Sequence, residues 1–264
     1  MGISVCGLTV EVGHVNIITH VSLEIAPGEL VGIIGPNGTG KTTLLRAIMG
    51  IIPGKTGTVT LDGESVHALR PEQRAMKIAY LPQSRQLAWP QKVRDIIALG
   101  RFAYGSSVSE RLSPQDGAAI TRALDDTGLT PLANRRADTL SGGETARMHI
   151  ARALATEARY LIADEPATSL DPYHQHKVMR LFRNFATNGG GALCTIHDLT
   201  LAAQYADRLL WVHDGRIVAD GTPKETLTTA RIKSVFNVDC EVRHQPTLDV
   251  SVIGPALEKH ANKE

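Results

Sequence analysis

Apolar residues come in short bursts along the first third of the chain, with turn residues between them. The stretch GLTVEVGHVNIITHVSLEI, Gly7 to Ile25, predicts short strands with a turn at Gly13 and His14. Pro27 to Glu29 then turn the chain into LVGII, Leu30 to Ile34. Five apolar or small residues without polar alternation predict a strand buried on both faces. After GPNGTGKTT, the run LLRAIMGII predicts a helix. TGTVTLDGESV predicts a strand, a tight Asp62-Gly63 turn and the start of another strand. KIAYLPQ predicts a short buried strand that ends at Pro82-Gln83.

The texture changes after Gln83. From about Ser84 to Ala155 the segments predict helices, broken by loops such as GSSVSERLSP. Strands return in YLIADEP, in ALCTIHD (Ala192 to Asp198) and in RLLWVHDGRIVADG. Strand-rich, then helical, then strand alternating with helix is the order of an α/β sheet domain interrupted by a helical insertion. The expected pieces are 1–83 and 156–264 for the core and 84–155 for the insertion. The polar tail ALEKHANKE is expected to fray.

Composition narrows the partners. A chain of 264 residues with 42% hydrophobic and 21% charged residues is large enough for a sizeable core. Its 28 basic and 27 acidic residues are mixed along the chain, which argues against a nucleic-acid partner. Cys6, Cys194 and Cys240 are odd in number and far apart, which argues against a disulfide framework or zinc site and favours a reducing compartment. The opening residues lack the basic-then-apolar order of a secretory signal, and no apolar run approaches the ~18 residues of a membrane span. A role at a membrane is therefore expected to run through a partner.

Three motifs carry candidate chemistry. GPNGTGKT, Gly35 to Thr42, matches G-x-x-x-x-G-K-[ST] in full, with an apolar strand before it and a helix after it. Gly35, Pro36, Asn37, Gly38, Thr39 and Gly40 form a loop of mostly small residues, and the contact segment extends to Thr43. Such a backbone can wrap phosphates with its N–H groups, and the helix N-terminus adds its dipole. Lys41 can reach the β- and γ-phosphates, and Thr42 can offer its hydroxyl to Mg²⁺. In YLIADEP, Asp164 and Glu165 end an apolar strand, where a carboxylate needs a partner or a task. Asp164 suits support of Mg²⁺, and Glu165 suits polarising a water for in-line attack on a γ-phosphate. A solvated strand end is the plain alternative. In LSGGETARMHIARALA, Leu140 to Ala155, two glycines sit directly ahead of a helix. They mark either a simple helix cap at Ser141 or a backbone site for an anion.

The order of these motifs resembles the ATP-binding cassette family, the nucleotide-binding subunits of ABC transporters. Gln83 ends a strand after the phosphate loop, LSGGE precedes the acidic strand, SLDP (Ser169 to Pro172) follows it, and His197 ends the next strand in TIHD. LSGGE, similar to the family's LSGGQ, is the most specific element, and the resemblance covers nearly the whole chain. It implies a phosphate-loop, RecA-like α/β core with a β subdomain and an inserted α-helical subdomain. It implies ATP and Mg²⁺ as cofactors, with Thr42, Gln83 and Asp164 at the metal, Glu165 as general base, Gln83 near the attacking water and His197 at the γ-phosphate. Ser141, Gly142 and Gly143 then face ATP bound on a second copy, and Asp171 crosses the interface. One phosphate loop and one signature per chain imply a homodimer with two composite sites.

Val93 to Asp116 and Arg231 to Val242 resemble the group that imports ferric siderophores, haem or cobalamin. This implies two membrane permease subunits, indirectly a substrate-binding protein, no nucleic acid, and a peripheral place on the cytoplasmic face of the inner membrane. Leu87, Trp89 and Pro90 are candidates for the permease groove, with the core of the insertion as the alternative. A soluble cassette ATPase such as an iron–sulfur assembly ATPase, a nucleotide sensor and an importer of free metal ions are the rival readings. Two departures matter. Val12 stands where many members carry an aromatic residue stacked on adenine, which predicts weaker adenine selectivity. Glu144 replaces the signature's Gln, and is expected to face away from phosphate and favour the helix N-terminus.

Overall fold

A computed structural model describes residues 1–83, 91–105, 112–243 and 248–255. The chain opens with β1 (Ile3–Val12) and β2 (Val15–Ile25), antiparallel and joined at Gly13-His14, where both residues adopt positive φ. β3 (Leu30–Ile34) leads through the phosphate loop into α1 (Lys41–Ile48). β4 (Thr56–Leu61) and β5 (Glu64–Ser65) form a hairpin about Asp62-Gly63. α2 (Pro71–Lys77) and β6 (Ile78–Leu81) follow.

The insertion is helical. It holds α3 (Val93–Ala98), which continues as a 3-10 turn through Tyr104, then α4 (Pro114–Asp126) and α5 (Gly142–Leu154). The chain returns to the core with β7 (Tyr160–Ala163), α6 (Pro172–Thr187), β8 (Gly191–Thr195), α7 (Leu199–Tyr205), β9 (Arg208–His213) and β10 (Arg216–Gly221). α8 (Pro223–Thr226), α9 (Thr229–Phe236) and the hairpin of β11 (Val238–Arg243) and β12 (Asp249–Pro255) complete the described chain.

Among the described residues the main sheet has the order β10-β9-β3-β8-β7-β6 and is parallel except for β10. β3, β7 and β8 are buried along their whole length, because helices and a second sheet cover both faces. That second sheet, β2-β1-β4-β5, is antiparallel and packs its apolar face, with α1, onto the main sheet. The other face of the main sheet is covered by α5, α6 and α7.

The insertion has its own apolar cluster around Val93, Ile97, Ile120 and Met148. α5 serves two cores at once. Its Ala146, Ile150 and Ala153 face the main sheet, while Met148 and Ala151 face the insertion. These positions follow helical spacing on two sides of one rod.

The α/β class is as the sequence predicts. Two elements differ in detail. α1 begins at Lys41 and stops at Ile48, because Gly50 leaves helical geometry at φ +65°. α2 has no counterpart in the sequence reading. It buries none of its residues, so it shows no apolar stripe, and it starts on Pro71, with Gln73 Oε1 accepting from the Arg70 N–H (2.9 Å).

Candidate nucleotide site

The carboxyl ends of the parallel strands open onto a cleft of about 820 Å³. Val12, Lys41, Thr42, Gln83, Glu165 and His197 all line it. The described structure thus gathers residues that lie up to 185 positions apart in the chain (197 − 12).

The phosphate loop needs its glycines. Gly38 and Gly40 adopt φ of +82° and +95°. A Cβ on Gly40 would lie 2.8 Å from Ile18 Cδ1, and one on Gly35 would lie 2.1 Å from the Val212 carbonyl oxygen. The loop is thereby pressed onto the body of the protein. Lys41 begins α1 and is buried. Its Nζ donates to the carbonyl oxygens of Gly35 (2.7 Å) and Pro36 (2.8 Å). Burial pulls the Lys41 pKa below its ordinary value, and the nearby Glu165 and Asp164 charges oppose that pull.

Asp164, buried at the end of β7, is held on both oxygens. Thr42 Oγ1 donates to Oδ2 at 2.5 Å, and Thr195 Oγ1 donates to Oδ1 at 2.8 Å. Thr42 and Asp164 offer hard oxygen donors side by side. Such a pair fits Mg²⁺, which takes one or two protein oxygens and completes its shell with water and phosphate. Among the described residues no group of three or more His, Cys, Asp or Glu could hold a metal by itself.

Glu165 adopts φ +50°, an uncommon conformation for a residue other than glycine. Its N–H donates to Thr195 Oγ1 (2.7 Å). Its carboxylate Oε1 lies 2.6 Å from His197 Nε2, and Oε2 accepts from Gln83 Nε2 (2.8 Å) and Thr168 Oγ1 (3.1 Å). Burial works to raise the Glu165 pKa. The hydrogen bonds and charge of His197, with those of Thr168 and Gln83, outweigh it and hold the carboxyl below its ordinary range. Gln83 is thus brought to Glu165 and makes no hydrogen bond to Asp164.

Val12 is 54% exposed at the end of β1 and forms part of the cleft's rim beside Ile17. Ser141, Gly142 and Gly143 are not part of this cleft. Ser141 N-caps α5 in a capping box, in which its Oγ accepts from the Glu144 N–H (3.3 Å) and its N–H donates to Glu144 Oε2 (2.8 Å). Glu144 therefore folds back onto the helix N-terminus, where the Ser141 N–H holds its carboxyl below the ordinary range. Ser141 and Gly142 remain exposed, while Gly143 is buried against His174. His174 Nδ1 lies 2.8 Å from Asp171 Oδ2, and Asp171 caps α6 through the His174 N–H. Leu87, Trp89 and Pro90 lie outside the described residues.

The sequence reading missed Thr195, Thr168 and His174. Thr195 carried a faint signal, as the polar residue of the apolar strand GALCT, two positions before His197. Its two partners come from another strand, and no local pattern reveals them.

Residues 18–168 match the family model described as ABC transporter. The chain belongs to the ABC transporter family. It is an ATP-binding cassette, and cassettes of this family hydrolyse ATP. The cassette is 38% identical over 256 residues to the hemin import ATP-binding protein HmuV of Rhizobium meliloti (strain 1021), covering 94% of the cassette and 96% of that protein. It is also 38% identical over 260 residues to the cobalamin import ATP-binding protein BtuD of Halobacterium salinarum (strain ATCC 29341 / DSM 671 / R1), covering 98% of the cassette and 65% of that protein. A solved metal-chelate type ABC transporter in an inward-facing conformation has a similar fold, with a TM-score of 0.82, 24% identity and 98% of each chain covered.

Proposed function

We propose that the cassette is the ATPase subunit of an importer for iron chelates such as haem, or for cobalamin. It works at the cytoplasmic face of the inner membrane as a homodimer on two permease subunits, which receive cargo from a substrate-binding protein. Similarity over 94% of the cassette to a hemin import subunit and over 98% of it to a cobalamin import subunit supports the class of cargo. Among the described residues no helix is long and apolar enough to cross a membrane, which suits a subunit that acts on separate membrane partners.

The observation that carries the catalytic reading is the meeting of the Thr42–Asp164 pair and the Glu165–His197 pair in the cleft of Lys41. Lys41 Nζ exchanges its two carbonyl partners for phosphate oxygens. Thr42 and Asp164 would hold Mg²⁺, which would supply charge neutralisation of the phosphates. Glu165 is ionised and takes a proton from the attacking water, while His197 steadies the base and the γ-phosphate end. Gln83 has to leave Oε2 before water can reach that oxygen, so its position gates the base. The exposed Ser141 and Gly142, with α5 behind them, complete the site of a second copy, since their own cleft does not include them.

A groove of about 400 Å³ between α2, the turn after α3 and α5 is the docking face we assign to the permease. Phe102 is 73% exposed there, and Leu99 and Tyr80 add apolar surface. Arg152 lies in the same groove, where burial lowers its pKa, and its side chain makes no hydrogen bond or ion pair among the described residues. The groove touches both the core and the insertion, so a helix seated in it moves α5 relative to the phosphate loop.

The test is purification of tagged cassette from membranes, with mass spectrometry of what stays bound. A polytopic permease of the ferric-chelate type is the expected result. Soluble partners alone would overturn the transport reading and leave the ATPase in place.

A further inference from the structure

We infer that Thr195 is a positioning residue for ATP hydrolysis, whose hydroxyl locks Asp164 and Glu165 into one fixed relation. The inference rests on the reading of Glu165 as general base.

The chemistry of the three groups leaves one arrangement. A hydroxyl has one proton to donate and lone pairs to accept with. An ionised carboxylate only accepts, and a backbone N–H only donates. Thr195 Oγ1 therefore donates to Asp164 Oδ1 (2.8 Å) and accepts from the Glu165 N–H (2.7 Å). Thr195 is fully buried, so water does not stand in for either partner. The register of β7 on β8, with Ala163 beside Cys194, brings Thr195 alongside the two acidic residues.

Both acidic residues need this hold. Glu165 sits in the left-handed region, a conformation that persists only when its surroundings impose it. The end of β8 imposes it at two points, the backbone through Thr195 and the carboxylate through His197. On Asp164, Thr42 occupies the other oxygen. Were the Thr42 hydroxyl to serve a metal instead, Thr195 would be the side-chain donor left on Asp164 among the described residues. Valine at this position would keep the shape of the side chain and remove both bonds, taking one donor from the buried Asp164 carboxylate and the Thr195 acceptor from the part-buried Glu165 N–H.

The experiment compares wild type, Thr195→Val, Thr195→Ser and Glu165→Gln. Thr195→Val is expected to lower kcat about ten-fold or more, because small misplacements of reacting groups are costly. Its Kd for ATP measured without Mg²⁺ should stay within about two-fold, because no phosphate or adenine contact is touched. Thr195→Ser should restore kcat to within about three-fold, since the hydroxyl is back. A readout without nucleotide is amide exchange at Glu165, which should be about ten-fold faster or more in Thr195→Val and near wild type in Thr195→Ser. Inactive Glu165→Gln with fully active Thr195→Val would overturn the inference alone. Loss of ATP binding and thermal stability in both Thr195 variants would overturn it in favour of a structural role. Glu165→Gln at the wild-type rate would overturn the base assignment on which the inference stands.

Discussion

His197 Nε2 lies 2.6 Å from Glu165 Oε1, tying the residue just past β8 to the residue two past β7. His197, Thr168 and Gln83 together place the carboxylate and hold its pKa below the ordinary range. Replacing Glu165 with Gln keeps its size and leaves the phosphate loop untouched, but removes the acceptor proposed for water's proton. We expect kcat to fall about 10²- to 10⁴-fold, with ATP still bound and an ATP-loaded dimer accumulating in size-exclusion chromatography. Wild-type turnover would remove Glu165 from the base role.

The same hydrogen bonds set a pH signature. Burial pushes the Glu165 pKa up, and His197, Thr168 and Gln83 more than reverse it, so the folded value lies below the ordinary 4.5. A depressed folded value means the carboxylate stabilises the fold fully above the unfolded pKa and loses that contribution as pH falls through the folded one. The stability gap between wild type and Glu165→Gln should hold at neutral pH and close well below pH 4.5. Melting curves across that range measure it, and a gap that widens on acidification contradicts the assigned shift.

Lys41 Nζ is already desolvated and held by the Gly35 and Pro36 carbonyls. Lys41→Ala removes the charge that would meet the β- and γ-phosphates. Charge-assisted bonds of this kind are worth about 1.5–3 kcal/mol each, so ATP affinity should drop at least about ten-fold and as much as a hundred-fold or more. Calorimetric titration with ATP reads this directly, and an unchanged Kd would contradict the role.

Val12 exposes 54% of its surface at the rim of the cleft, with room beside it for a larger side chain. An aromatic ring on a base contributes about 0.5–1.5 kcal/mol beyond simple burial. Val12→Tyr should therefore tighten ATP about two- to ten-fold and sharpen the preference for ATP over GTP. Equal affinities for both nucleotides, unchanged from wild type, would show that adenine does not lie on Val12.

Gly143 leaves space for the His174 ring. A Cβ there would lie 2.1 Å from His174 Cδ2, so Gly143→Ala must push the ring off and break its contact with Asp171. Overpacking of this kind costs about 1–3 kcal/mol. We expect a lower melting temperature and reduced hydrolysis, with ATP binding by the single chain unchanged. Adding His174→Ala should recover much of the stability, because it removes the clashing ring. Failure of that second change to help would mean the strain lies elsewhere.

Legibility followed the range of the interactions involved. The phosphate loop was readable because its needs are local: positive φ at Gly38 and Gly40, then a helix that starts at Lys41. The acidic strand end was readable because an apolar strand that finishes on Asp164 and Glu165 is an uncommon pattern. For Ser141 the residues allowed a helix cap or an anion site. The structure shows the cap, with Glu144 reciprocating, and leaves Ser141 and Gly142 exposed. α2 escaped notice because a helix that buries nothing carries no apolar period. The run IMGII looked helical, but Gly50 ends α1.

The sequence by itself determined the α/β class, the phosphate loop, the acidic pair at the end of β7 and the histidine after β8. Each rests on backbone geometry or apolar burial within a few residues. Only the tertiary structure decided that Thr195 joins Asp164 to Glu165, that Gln83 rests on the Glu165 carboxylate, and that His174 fills the space beside Gly143. Those contacts join residues 30 to 82 positions apart. They depend on strand register and helix packing, which the order of residues specifies only through the fold as a whole.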